Sequence, residues 1–166
     1  MVLRGPVILR SAMKKVAIIR TTHLCEAHKK AGAVLSNEDG WQLPRRFGNP
    51  LEEYQAARNS VALADRSHFG RLKISGKDAL DLLNRLSSNK IMDLPVGGGT
   101  STVLTTNKGR IIDLLLVINM DDYLLVITSP QTTEKVIEWI DLYTFSEDIT
   151  IEDVTETTTL LSLTGP

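Results

Sequence analysis

A chain of 166 residues, with 42% hydrophobic and 23% charged residues, can bury the core of one ordinary globular domain or of one and a half small ones. The formal net charge of −1 and the few aromatic residues favour no nucleic-acid partner. One cysteine excludes an internal disulfide framework and fits a reducing compartment. No apolar run reaches the roughly 20 residues that a membrane helix needs. We therefore expect a cytoplasmic protein without a membrane partner.

The first 20 residues are rich in basic residues, and no acidic residue precedes Glu26. Such a segment is typical of an organelle transit peptide, which keeps an organellar matrix open as the alternative location. The other interpretation is an extension from an early start codon, with Met13 as the true start. Because the stretch is short and poor in serine, we predict a flexible N-terminal extension over residues 1–20.

The next part of the chain predicts two short helices separated by a loop. Apolar residues recur at helical spacing over residues 24–32, which predicts the first helix. Residues 33–48 are rich in turn formers and are predicted to be a loop. Asn49 then caps a second helix, with Pro50 at its first position and an end near Asn59.

From residue 69 onward, strands and helices follow one another regularly. Strands are predicted at residues 69–75, 100–106, 111–118, 123–128 and 149–154, with helices beginning near residues 75 and 129. The strand at 111–118 is apolar except for Asp113, as expected of a central strand covered on both faces. This order predicts an α+β fold, a ferredoxin-like α/β sandwich with an antiparallel sheet.

A further apolar run at residues 160–163 predicts a strand that lies outside this sandwich. We therefore expect residues 65–154 to form the ferredoxin-like unit, and residues 21–64 to be the N-terminal part of a second, incomplete domain. Residues 155–166 are predicted to return to that second domain as a strand. A strand without a partner leaves an open sheet edge, so the second domain is expected to be incomplete.

Two groups of residues are candidates for chemistry. Asp113 interrupts an apolar strand, where an unpaired charge would be costly; it either anchors a ligand or basic partner, or it faces solvent or pairs with Arg110 or Lys108. His68 could contact a ligand, but a lone histidine after a loop favours the interpretation as a hydrogen-bonded structural residue. His23, Cys25 and His28 are residue types that bind metals, but their offsets of two and five residues do not converge on one helix face, so we predict no metal site.

The segment Asp65–Gly70 reads Asp-Arg-Ser-His-Phe-Gly, and it resembles the Asp-x-Ser-His-x-Gly segment of glycine-cleavage T-proteins, which are aminomethyltransferases. Other segments agree with that superfamily in order and spacing: Gly40–Trp41, Ser88–Lys90, Leu94–Gly97 and Gly165–Pro166. The resemblance spans about residues 22–166, the front half of proteins roughly twice this length. Two further segments, Phe47–Pro50 and Lys108–Arg110, resemble the YgfZ-type branch, folate-binding proteins linked to iron–sulfur enzyme maturation.

This resemblance implies a tetrahydrofolate site in a central channel, with the ferredoxin-like unit as one wall. The residues that it implies as folate contacts are Phe69, Asp113, Leu114, Leu116, Val126 and Thr128. T-proteins carry two consecutive aspartates on the corresponding strand, and the second is needed for aminomethyl transfer. Here the pair is Asp113–Leu114, and a leucine cannot exchange a proton or stabilise positive charge. Asp113 therefore remains as the candidate catalytic carboxylate.

Three functional hypotheses follow. The first is a tetrahydrofolate-binding protein of the YgfZ-like branch that is non-catalytic or weakly catalytic and supports iron–sulfur enzyme maturation. The second is an aminomethyltransferase that moves a one-carbon unit to tetrahydrofolate. The third is a fragment that binds no ligand and self-associates through unpaired strands. The expected partners are a folate and either a second copy of the chain or a C-terminal half of the same protein.

Overall fold

The computed structural model describes residues 19–166. Residues 1–18 of the predicted N-terminal extension lie outside the described residues. Arg20, the last residue of that predicted extension, belongs to a strand. The elements in chain order are β1 Arg20–Thr21, α1 Cys25–Lys30, β2 Val34–Glu38, β3 Trp41–Arg46, α2 Pro50–Asn59, β4 Ala62–Asp65, β5 Gly70–Ser75, α3 Ala79–Leu86, β6 Gly99–Thr105, β7 Ile111–Asn119, β8 Tyr123–Thr128, α4 Thr133–Leu142, β9 Thr150–Asp153 and β10 Leu161–Thr164.

A five-stranded sheet in the order β6-β7-β8-β5-β9 forms the main unit, and all of its neighbouring strands are antiparallel. Helices α3 and α4 contribute to the hydrophobic core on one face of this sheet. The fully or nearly fully buried members of that core include Leu72, Ile74, Leu82, Leu83, Leu104, Leu115, Val117, Val126, Val136 and Ile140. The predicted α+β class, with an antiparallel sheet beside an incomplete second unit, is confirmed.

Local sequence explains where the helices begin and which face they bury. The Asn49 side chain accepts a hydrogen bond from the backbone N–H of Leu51 at 3.0 Å, so the predicted cap of α2 is present. Helix α3 buries Ala79, Leu82 and Leu83 at helical spacing. Burial of such an apolar stripe, rather than intrinsic propensity, stabilises a helix of only 8 residues.

The second unit contains a hairpin that the sequence interpretation missed. Strands β2 and β3 pair antiparallel across residues 33–48, which we predicted to be a loop, and β1 pairs parallel with β3. The two-residue connection has φ of 51° at Asp39 and 81° at Gly40, the left-handed backbone that an Asp-Gly hairpin turn requires. Burial of Trp41 and Leu43 on one face of β3 then stabilises the hairpin.

Buried Arg71 joins the main unit to the segment that leads into β10. Its guanidinium donates to the carbonyl oxygens of Ser67 at 3.1 Å, Phe69 at 2.5 Å and Thr158 at 3.2 Å, and also to the Thr155 carbonyl. The Thr158 hydroxyl accepts a further bond from Nε at 2.7 Å. Strand β10 then pairs antiparallel with β4. Because these acceptors come from the segment before β5 and from the segment after β9, Arg71 fixes the path of the chain from β9 to β10.

Strand β7 is covered on one face only within residues 19–166. Asp113, Leu115 and Val117 alternate as buried residues on the side of the helices. Leu114 is 61% exposed and Leu116 is 37% exposed on the other side. The prediction that this strand is covered on both faces is therefore wrong for the described residues. The second apolar face remains open, and we call it the outer face of the sheet.

We predict that two neighbouring leucines of β7 contribute very differently to stability. Leu115 is 1% exposed, so Leu115→Ala leaves a cavity in the core and is expected to lower the free energy of unfolding by about 2–5 kcal/mol. Leu114→Ala, on the outer face, is the matched control and is expected to cost less than about 0.5 kcal/mol. Urea unfolding of both variants measures the difference. Equal losses would contradict the assignment of faces.

Candidate functional site

An apolar groove runs along the outer face of the sheet. Its volume is about 530 Å³, and its lining residues are Arg66, Phe69, Ser101, Leu114, Leu115, Leu116, Ile127, Thr128, Ser129, Leu160, Leu161, Ser162 and Leu163. The floor is a cross-strand row, because Leu116 pairs with Ser101 of β6 on one side and with Ile127 of β8 on the other. Strand β10 supplies a side wall. We call this cavity the outer groove.

The outer groove suits a flat, largely apolar ligand. Leucine and isoleucine side chains form most of its surface, and Phe69 adds one aromatic ring. Hydroxyl groups of Ser101, Ser129 and Ser162 supply a few polar contacts. Ligand sites in proteins usually combine an apolar lining with a small number of placed polar groups in a volume of roughly 300–1,000 Å³. The outer groove has both properties.

The structure brings four of the six predicted contact residues to the outer groove. Phe69, Leu114, Leu116 and Thr128 line it. Thr128 borders it although its side chain is buried, and its hydroxyl lies 2.8 Å from the hydroxyl of Thr133 in α4. Val126 is fully buried in the core beneath the sheet and does not line the groove. The alternation of β8 separates the two faces, so Val126 cannot share the outer face with Ile127.

Asp113, our candidate catalytic residue, lies on the helix face of the sheet and is saturated with hydrogen bonds. One carboxylate oxygen accepts from the backbone N–H of Leu114 at 2.8 Å and from the Ser129 hydroxyl at 2.6 Å. The other accepts from the Ser129 N–H at 2.8 Å and the Thr132 hydroxyl at 2.6 Å. Thr132 is the N-cap residue of α4, where a negative charge is favourable.

This placement differs from both alternatives that the sequence left open for Asp113. The carboxylate does not face solvent, since the residue is 5% exposed, and its partners are Ser129, Thr132 and Leu114 rather than Arg110 or Lys108. Asp113 is also absent from the residues that line the outer groove. Its observed contacts tie the start of α4 to β7, and its catalytic role stays a prediction.

The aspartate of the Asp-Arg-Ser-His segment is also part of a buried network. One oxygen of Asp65 accepts from the Thr22 hydroxyl and is paired with Nε2 of His28, both at 2.8 Å, and the other accepts from the Ser67 N–H at 2.9 Å. Burial raises the pKa of Asp65, but the bonds from Ser67, His28 and Thr22 outweigh burial and hold the pKa below its ordinary value. This network joins α1 to the end of β4, and no local pattern in the sequence predicts it.

Within residues 19–166, one ring nitrogen of His68 lacks the hydrogen bond that its interpretation as a structural residue predicts. Its Nδ1 atom is buried and has no hydrogen-bond partner among the described residues, so the interpretation as a fully hydrogen-bonded histidine is wrong at that atom. The ring packs edge-on against Phe69, with 4.9 Å between centroids. Burial and the charge of Arg66 lower the pKa of His68. His68 lines a separate polar cavity of about 380 Å³ together with Trp41 and Gly70.

Two further expectations concern metals and membranes. Within residues 19–166, no three His, Cys, Asp or Glu side chains come together in a way that could hold a metal ion. Cys25 is buried and donates to the Gln42 side chain at 3.5 Å, while His28 is engaged by Asp65. In the same part of the chain, no helix has the length and apolar character required to cross a bilayer.

The described fold is similar to part of a solved protein structure. A crystal structure of glycine cleavage system aminomethyltransferase T from Bartonella henselae matches with a TM-score of 0.79 at 22% identity, over 89% of this chain and 41% of that one. The family model of the GCVT N-terminal domain matches residues 24–166. The chain belongs to this family, which confirms the resemblance to the T-protein superfamily.

Two curated relatives carry the name Aminomethyltransferase. The protein from Bacillus pumilus is 36% identical over 151 residues, which is 90% of this chain and 41% of the relative. The protein from Thermotoga maritima is 30% identical over 149 residues, or 89% of this chain and 41% of the relative. The chain thus spans about two fifths of the length of these relatives.

We predict that Asp113→Asn destabilises the protein even though Asn is nearly isosteric. In the variant, the NH₂ group of the amide would face an N–H or hydroxyl donor that bonds to a carboxylate oxygen in the wild type. We therefore expect the free energy of unfolding to fall by about 1–3 kcal/mol. Asp122→Asn, at an exposed turn position, is the control and should change little. Chemical denaturation followed by circular dichroism measures both. An unchanged midpoint for Asp113→Asn would mean that its carboxylate is free for another role.

We also predict a pH-dependent contribution from Asp65. Because its pKa is lower in the folded state than the ordinary value of 3.8, its ionised form stabilises the fold above that value. The contribution should decline as the pH falls below 3.8 and toward the lower, folded-state pKa. The measurement is the difference in unfolding free energy between wild type and Asp65→Asn over a series of pH values. A difference that stays constant down to the acid limit would refute this.

Proposed function

We propose that the outer groove forms one wall of a tetrahydrofolate-binding site in a protein of the aminomethyltransferase type. The observation that carries this proposal is the common placement of Phe69, Leu114 and Leu116 on one open apolar wall of about 530 Å³. These residues come from the segments that resemble T-proteins. Because the chain covers about 41% of its relatives, other parts of such a protein would complete the site.

The chemistry of the ligand matches that of the groove. Tetrahydrofolate has a bicyclic pterin, an aromatic p-aminobenzoyl group and a glutamate tail. Leu116, Ile127 and Leu161 offer apolar contact for the ring systems, and the Phe69 ring can pack against an aromatic face. The hydroxyl groups of Ser101 and Ser162 can hydrogen-bond the polar edge of a pterin. Tetrahydrofolate would be the acceptor of the one-carbon unit in such a protein.

The comparisons bear on the choice between the functional hypotheses. The relatives described above are named for aminomethyl transfer, so they support the transferase hypothesis better than a role in iron–sulfur enzyme maturation. We keep the division into residues 21–64, 65–154 and 155–166 as part of the proposal. The pairing of β10 with β4 supports it, because residues 161–164 return to the strand that precedes the main sheet.

A second candidate function is folate binding without aminomethyl transfer, and Leu114 favours it. The side chain of Leu114 projects into the outer groove at the position where the resemblance places the second, essential aspartate. The neighbouring Asp113 accepts bonds from Ser129 and Thr132 on the opposite face and cannot substitute from that position. A general acid or base contributes typically 10²–10⁴-fold to a rate, so its replacement by leucine predicts a large loss of transfer.

The binding proposal is tested by calorimetric titration of the 166-residue chain with tetrahydrofolate. Leu116→Glu would put a charge on the groove floor, and we expect it to weaken binding at least about tenfold because a carboxylate is costly to desolvate. Leu51→Glu, at an exposed position of α2 outside the groove, is the control and should bind like wild type. Equal effects of the two variants, or no binding by wild type, would count against the groove.

The choice between binding and transfer is tested in a chimera. Residues 24–166 replace the matching segment of the Bacillus pumilus relative, which supplies the remaining length. We expect this chimera to bind tetrahydrofolate but to transfer slowly, and Leu114→Asp to raise the rate by about a hundredfold. Calorimetry on the same samples separates catalysis from folding and binding. A chimera with Leu114 that transfers as fast as the parent enzyme would disprove the non-catalytic candidate.

A further inference from the structure

Arg66 is held at the mouth of the outer groove by its own backbone. Its N–H donates to the carbonyl of Leu160 at 2.8 Å, and its carbonyl accepts from the N–H of Phe69 at 2.9 Å. These bonds fix the short segment between β4 and β5 against the chain that enters β10. The guanidinium carbon lies 5.9 Å from the centroid of the Phe69 ring. The side chain therefore borders the same aromatic surface that the groove offers to a ligand.

The charge of Arg66 has no carboxylate partner within ion-pair distance among the described residues. The adjacent Asp65 is fully buried, and its oxygens are occupied by Thr22, His28 and Ser67. Asp113 is occupied on the far face of the sheet. Of the residues from 19–166 that line the outer groove, Arg66 alone carries a formal charge. The groove thus combines an apolar body with one free cation at its edge.

Other basic residues that could guide an anion are engaged or distant. The guanidinium of Arg71 donates its hydrogen bonds to carbonyl and hydroxyl oxygens. Lys73 does not line the outer groove, and its ammonium lies 4.9 Å from the centroid of the Tyr123 ring. Lys108 and Arg110 stand in the turn between β6 and β7 and do not line the groove. Their exclusion leaves Arg66 as the basic residue best placed to meet an anionic part of a groove ligand.

We infer that Arg66 is a specificity-determining residue that binds a carboxylate of the ligand's glutamate tail. The inference rests on the proposed folate site and adds the orientation of the ligand in it. The ring systems lie along the leucine floor, and the carboxylate lies at the Arg66 end. A guanidinium matches a carboxylate through two parallel N–H···O bonds, which a lysine ammonium cannot reproduce. Arg66 thereby selects folates over pterins that lack the tail.

The test compares two probes on matched variants. Wild type, Arg66→Gln, Arg66→Lys and the control Arg110→Gln are titrated with tetrahydrofolate and with 6-methyltetrahydropterin, which has no glutamate. Titrations are made at about 20 mM and about 200 mM salt, because exposed charge pairs are screened by ions. The 166-residue chain and the chimera are both used. Circular dichroism of each variant verifies that the fold is retained.

The inference predicts that Arg66→Gln weakens tetrahydrofolate binding by about five- to tenfold and leaves pterin binding within about twofold. Arg66→Lys should recover only part of the loss, and Arg110→Gln should match wild type. Salt should weaken tetrahydrofolate binding only in the proteins that keep a basic residue at position 66. Wild-type folate binding with no loss in Arg66→Gln, or equal loss for both probes, overturns the inference while leaving the folate site intact. Absence of binding to either probe by wild-type chain and chimera overturns both.

Discussion

The carboxylate of Asp113 sets the arrangement of the site, because it fixes which face of β7 meets the helices. Its four hydrogen bonds, to Leu114, Ser129 and Thr132, anchor the start of α4 beneath the strand. Side chains alternate along a strand, so this anchor turns Leu114 and Leu116 to the outer face. A shift of one residue would bury the leucines and expose the core, which the packing of Leu115 and Val117 opposes.

The outer groove follows from that choice of face together with two connections. Arg71 fixes the segment that leads to β10, and the β4–β10 pair then closes one side of the groove. The Asp65 network holds the beginning of the same motif, so that Arg66 and Phe69 are presented at the groove while Asp65 is withdrawn from it. One short segment thus supplies a structural anchor, a cation and an aromatic ring. Membership of the family suggests tetrahydrofolate as the ligand of this groove. Leu114, in place of the second aspartate, suggests that the groove binds the ligand without transferring a one-carbon unit.

Periodicity predicted the main sheet and its helices well, because burial on one face dictates their patterns. It failed at the Asp39–Gly40 hairpin, where a two-residue turn lay inside a stretch interpreted as a loop, and at β7, whose apolar outer face borders a groove instead of a second layer. The groove residues Phe69, Leu114 and Leu116 were reached only through the family resemblance. The positions of Arg66 and of the His28–Asp65 pair depend on contacts between residues that are distant in sequence. His28 and Asp65, for example, are 37 residues apart, and no local sequence pattern encodes such a contact.

The most direct test of the account is a methyl NMR titration of the leucine- and valine-labelled chain with tetrahydrofolate. The account predicts that the methyl signals of Leu114, Leu116 and Leu161 shift with added ligand. The signals of Val117 and Val126, which are fully buried and do not line the groove, should remain nearly unchanged. Shifts confined to the buried methyl groups, or to residues around His68 and Trp41 with an undisturbed outer face, would contradict the assignment of the outer groove as the ligand site.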